Sequence, residues 1–166
     1  GDLLSTNTNG ICMAKFKNGS KILILTANGG IDTSYNGKNK LEFRALYNPF
    51  CKKFKNIQIT PITTLLADYV IYKEKKEKNI RLKVLEDSSD SLRECLNLKN
   101  IDTDYIETKN LKAAITAYRI VNLIYTGNYL LRKFVKNYDN RNSYFSTKLA
   151  LSIIDNGLNI NTLSHL

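Results

Sequence analysis

The chain has 166 residues, 43% hydrophobic and 24% charged, with 25 Lys and Arg against 15 Asp and Glu. That apolar content supplies a core and excludes global disorder, and the length suits one domain or two small units sharing a core. A net charge of +10 with a pI near 9.5 favours phosphate-rich partners through steering and counterion release; a lysine- and asparagine-rich composition of genomic origin produces the same excess.

The first half, residues 10–86, reads as β structure. Residues 11–17 and 21–26 flank Asn18-Gly19, a hairpin turn by its tolerance of positive φ. Asn28-Gly29-Gly30 and Asn36-Gly37 punctuate the chain again. Residues 40–47 alternate as a strand with one wet face does, and Asn48-Pro49 ends it. Residues 57–60 form a short strand stopped by Pro61. Residues 68–72 and 80–85 are the last two expected strands, joined by a charged hairpin tip over 73–79. Frequent turn signals point to an antiparallel sheet or small barrel.

The second half, residues 90–166, reads as helix, with the junction near 86–90. Ser91 and Glu94 have capping-box spacing and open a short helix ending near Leu98. Residues 111–125 are apolar nearly all round, which predicts a central buried helix with Ile115, Ala117, Tyr118 and Val121 in the core. Thr126-Gly127-Asn128 ends it, a second helix covers 129–138, and a last one covers 147–155. The expected class is α+β: an N-terminal antiparallel sheet or small barrel followed by a helical half on a shared core.

Little points to catalysis. The sole histidine, His165, sits one residue from the end of the sequence. Cys12, Cys51 and Cys95 are odd in number and lack the short spacing of a zinc knuckle or redox motif. Cys51 has Lys52 and Lys53 beside it, which favours thiolate, while Cys12 and Cys95 look like core positions. Asp102, Asp104 and Glu107 lie close together, yet without the ligand count or glycine of an EF-hand; acids at a helix start explain them. No cofactor, metal or catalytic residue is expected. The longest apolar run, 113–125, is interrupted by Arg119 and Asn122 and is too short to span a bilayer. A soluble, intracellular (cytoplasmic) protein with reduced cysteines follows.

Two basic constellations remain. Residues 43–55 interleave Phe43, Tyr47, Phe50 and Phe54 with Arg44, Lys52, Lys53 and Lys55. Rings stack on unpaired bases and cations pair with phosphates, which is what single-stranded nucleic acid requires. Lys15, Lys17 and Lys21 extend the same patch. The second constellation is Arg132, Lys133 and Lys136, with Arg141 in the next turn. A basic amphipathic helix lies on phosphates or on anionic lipid.

The stretch 130–141, followed by Asn156-Gly157-Leu158-Asn159, resembles the end of a poxvirus late protein family, with a short echo at 57–63. That resemblance implies a PX-like fold and phosphoinositide binding, although this chain lacks the family's leading helices. Residues 41–51 and 68–85 are similar to the small RNA-binding replicase subunit of coronaviruses, which lacks the long helical extension. Both imply non-enzymatic binding of phosphate-bearing partners and a viral origin. The expected function is non-catalytic binding of single-stranded nucleic acid, RNA before DNA. Phosphate contacts come from Arg44, Lys52, Lys53 and Lys55, and stacking from Tyr47, Phe50 or Phe54. The alternatives are anionic lipid at Arg132, Lys133 and Lys136, and a viral or parasite interaction module with incidental charge.

Overall fold

The computed structural model describes residues 12, 21–32, 37–38, 41–49, 57–74, 80–135 and 143–161. Its β part is a hairpin. Strand β1 (Leu23–Asn28) pairs antiparallel with β4 (Glu42–Tyr47), from Leu23 opposite Tyr47 to Asn28 opposite Glu42. A shorter ladder joins β2 (Ile31–Asp32) to β3 (Gly37–Lys38), and its register slips by one residue. Gly29 and Gly30, with φ of 72° and 87°, lie between the ladders, where a side chain would strain the backbone. Among the described residues these two-stranded ladders are the whole sheet content, so the barrel alternative is not met. The class is α+β.

Among the described residues four helices make the rest: α1 (Pro61–Lys73), α2 (Leu82–Cys95), α3 (Leu111–Phe134) and α4 (Ser143–Ile154). Helix α1 corrects the expected strands. Thr60 caps it by accepting the Thr63 N–H at 3.2 Å, and Thr63 Oγ1 accepts the Thr60 N–H at 2.8 Å. Pro61 fills the first helical position, where its missing N–H costs nothing. Pro61 therefore starts a helix instead of ending a strand. Every residue from 61 to 70 is buried, with β4 on one side and the other three helices around it. An apolar stretch buried all round has no helical periodicity to display, hence the strand reading of 68–72.

Residues 80–85 alternate like a strand, but 82–85 are the first turn of α2. The inward set Leu85, Ser88 and Leu92 continues at helical spacing. Ser91 thus lies in the last turns of α2 and does not open a helix. Asn97 closes α2 at φ 51°, with its N–H on Glu94 O at 2.9 Å and the Leu98 N–H on Arg93 O at 3.0 Å. That is a Schellman motif, and asparagine tolerates the left-handed position better than most residues.

Helix α3 begins at Asn110, whose side chain accepts the Ala113 N–H at 3.2 Å. It buries Ala113, Thr116, Ala117, Ile120 and Ile124. Ala117 is inside as expected, whereas Ile115 and Tyr118 are exposed and Val121 is half-buried. Gly127 does not end the helix, which runs unbroken to Phe134. A Cβ at Gly127 would overlap the Phe145 ring, so glycine lets α4 approach α3 closely. Helix α4 then ties to α1: Tyr69 Oη donates to Asp155 Oδ1 at 2.6 Å, and Lys73 Nζ lies 3.0 Å from Asp155 Oδ2. The core between the four helices holds Leu65, Val70, Leu92, Ile120 and Ile153.

Candidate nucleic-acid interface

Strand β4 lies against the start of α1 through its backbone. The Arg44 N–H donates to Thr64 Oγ1 at 2.8 Å, and Thr63 Oγ1 donates to Arg44 O at 2.9 Å. This contact turns the Arg44 side chain inward, leaving the residue 9% exposed. Its Nη1 donates to Asp68 Oδ1 at 2.6 Å, and its Nη2 pairs with Glu42. Ser146, on α4, donates its hydroxyl to Asp68 Oδ2. Asp68 is 3% exposed, and burial pushes its carboxyl above the ordinary value against the pull of Ser146 and Arg44. A buried ion pair thus joins β4, α1 and α4.

The Arg44 guanidinium therefore faces two carboxylates inside the fold and is not presented on an open surface. Phe43 packs partly buried against the core. Tyr47 is half-buried and faces a cavity of about 480 Å³ between β4, α1 and α2, beside Leu46, Leu66 and Leu85. Phe50, Cys51, Lys52, Lys53, Phe54 and Lys55 lie outside the described residues, as do Lys15, Lys17, Lys136, Arg141 and His165. Lys21, Arg132 and Lys133 are exposed. Cys12 is exposed and Cys95 only half-buried, so Cys12 is not the core position expected.

The outer face of α3 holds Ile115 and Tyr118, two of the residues expected in the core. Leu111, Ile115, Tyr118, Asn122, Tyr125 and Tyr129 alternate four and three apart, which keeps them on one side of the helix. Tyr118, Tyr125 and Tyr129 are 68%, 51% and 55% exposed. Lys112, Arg119, Arg132 and Lys133 are the charged residues of α3, and it carries no carboxylate. Lys133 Nζ lies 5.7 Å from the centre of the Tyr129 ring. Arg119 is tied to Asn161 Oδ1 at 2.9 Å. The sequence does carry a signal for this face: Ala113, Ala117, Ile120 and Ile124 form one stripe and the tyrosines the opposite one. A single buried helix has no need of two stripes.

A second concavity, an open groove of about 490 Å³, runs between α1 and α4 above the Arg44–Asp68 pair. Ile71 and Tyr72 line one wall, and Ser143, Tyr144, Thr147 and Lys148 the other. Among the described residues no group of three or more His, Cys, Asp or Glu can hold a metal ion. Asp104 instead caps its own turn, accepting the N–H groups of Ile106 and Glu107 at 2.9 Å. No helix among the described residues is long and apolar enough to cross a membrane. Comparison with known protein families, curated proteins and solved structures finds no match to this chain.

Proposed function

We propose that the protein is a non-catalytic binder of single-stranded nucleic acid and that the outer face of α3 is its contact surface. The observation that carries this reading is a helix of 24 residues with three exposed tyrosines, four cations and no acid. At about 1.5 Å rise per residue, Tyr125 lies roughly 6 Å along the axis from Tyr129 and roughly 10 Å from Tyr118. Successive rings on one face offer several stacking positions to an unpaired strand, each worth about 1–3 kcal/mol per base. Arg132 and Lys133 supply phosphate contacts where the tyrosine row ends.

A second reading has its own observation. Leu130, Phe134 and Val135 are exposed beside Arg132 and Lys133, the arrangement of an apolar edge flanked by cations that inserts into an anionic bilayer surface.

Fluorescence anisotropy with labelled oligonucleotides separates the two. Single-stranded RNA or DNA should bind more tightly than duplex, because only unpaired bases expose their faces. Tyr118→Ala with Tyr125→Ala should weaken binding about tenfold or more and leave the salt dependence unchanged. Arg132→Glu with Lys133→Glu should flatten the salt dependence by about 0.7 log units per log salt for each lost contact. If no oligonucleotide binds at low salt while vesicles containing phosphoinositide do, the nucleic-acid reading fails and the lipid reading replaces it.

A further inference from the structure

The groove between α1 and α4 has a chemistry of its own. Its volume of about 490 Å³ lies in the range of small-ligand pockets, roughly 300–1,000 Å³. One exposed tyrosine stands on each wall, Tyr72 from α1 and Tyr144 from α4. Lys148, one turn beyond Tyr144, has its Nζ 5.7 Å from that ring's centre. Ser143 and Thr147 add hydroxyls to the same wall, and the floor is the buried Arg44–Asp68 pair.

Each part restricts the ligand. Rings on both walls favour a flat one, since stacking rewards a planar π face. An exposed cation at the lip favours an anionic end. The floor is different: each Asp68 oxygen accepts one hydrogen bond, from Arg44 or Ser146, and keeps a second lone pair. The Asp68 carboxylate is thus an acceptor on the groove floor for an exocyclic amino group. A charged pair is a poor choice for filling a floor if stability is the only demand, because an apolar pair of similar volume does as well.

We infer that this groove binds a nucleoside monophosphate unit, with its base against Tyr72 and Tyr144, its amino edge toward Asp68 and its phosphate at Lys148. The unit is either a free mononucleotide or one nucleotide of a strand. The Asp68 acceptor on the floor favours bases with an exocyclic amine, so CMP should bind better than UMP, which has the same shape with a carbonyl oxygen in place of that amine.

The test titrates the full chain with CMP, AMP, GMP, UMP and ribose 5-phosphate, followed by calorimetry and by NMR shifts of groove residues. Saturable binding of the amine-bearing nucleotides is expected, at least fivefold tighter than UMP, with ribose 5-phosphate weakest. Tyr144→Ala and Lys148→Ala, both at exposed positions, should each weaken it about fivefold or more while preserving the fold. Absence of saturable mononucleotide binding, or binding unchanged in both variants, overturns the inference. So does equal affinity for CMP and UMP. Oligonucleotide binding measured alongside distinguishes the sources. If Tyr144→Ala weakens oligonucleotides and mononucleotides alike, the unit belongs to a strand; if only mononucleotides bind, the groove stands and the α3 strand reading fails. If oligonucleotides respond to the α3 changes alone and mononucleotides do not bind, the groove inference fails and the α3 reading stands.

Discussion

Replacing Asp68 by alanine destabilises the protein by about 3–5 kcal/mol, because it leaves a buried guanidinium without its best partner. Arg44 retains Glu42, which is partly open to solvent, so the low end of that range is expected. Ser146 loses its acceptor in the same step. Urea denaturation reads the loss directly. The double change Arg44→Met with Asp68→Leu should recover most of it, since removing both charges also removes the burial penalty. If the single change is as mild as a surface substitution, the pair does not hold β4, α1 and α4 together.

The pH dependence has a defined sign. Burial holds the folded Asp68 carboxyl above its unfolded value of 3.8. The folded state therefore keeps this proton longer, and the associated stability is full below 3.8 and lost as pH rises through the folded value. Asp155 runs the other way. The Tyr69 hydroxyl first, then Lys73, hold it low against desolvation. Its contribution is present above 3.8 and is lost as pH falls through its folded value. The loss on Asp68→Asn should accordingly be larger at pH 4 than at pH 7, measured by urea denaturation of both proteins. The opposite order would mean that the folded state prefers the ionised carboxylate.

The second large effect separates the true core helix from the exposed one. Leu65→Ala should cost about 2–5 kcal/mol, because Leu65 is fully buried on α1 and its removal leaves a cavity that rigid neighbours cannot close. Tyr118→Ala should stay within about 0.5 kcal/mol, as substitutions on an open surface do. Both are read from denaturation midpoints with the slope unchanged. A severe loss at Tyr118 would place that ring against the body of the protein and remove it from the proposed interface.

Both residues sit in apolar runs, so composition did not rank them. What distinguishes them is the neighbour each helix has. Helix α1 is enclosed by β4 and three helices, whereas α3 packs through its alanine and isoleucine stripe and leaves its tyrosines outside. Tyrosine suits either environment, having an apolar body and a polar tip. The Thr60-Pro61-Ile62-Thr63 start of α1 was readable as a cap followed by proline at the first helical position. The same proline also suits a strand end, because proline interrupts a β ladder as readily as it opens a helix.

Local chemistry by itself determined the α+β class, a strand within the expected 40–47, the break at Asn28-Gly29-Gly30, and a helix at each of α3 and α4. These depend on turn residues, periodicity and capping, which act within a few positions. The order of burial and the fate of each charge were decided only by tertiary structure. Arg44 looks in sequence like its basic neighbours, yet the packing of β4 on α1 points it at Asp68, 24 residues away, whose other oxygen accepts from Ser146. The groove walls, Tyr72 and Tyr144, likewise meet across 72 positions of chain. Contacts at such separations depend on which faces the helices bury against one another, and no window of sequence records that choice.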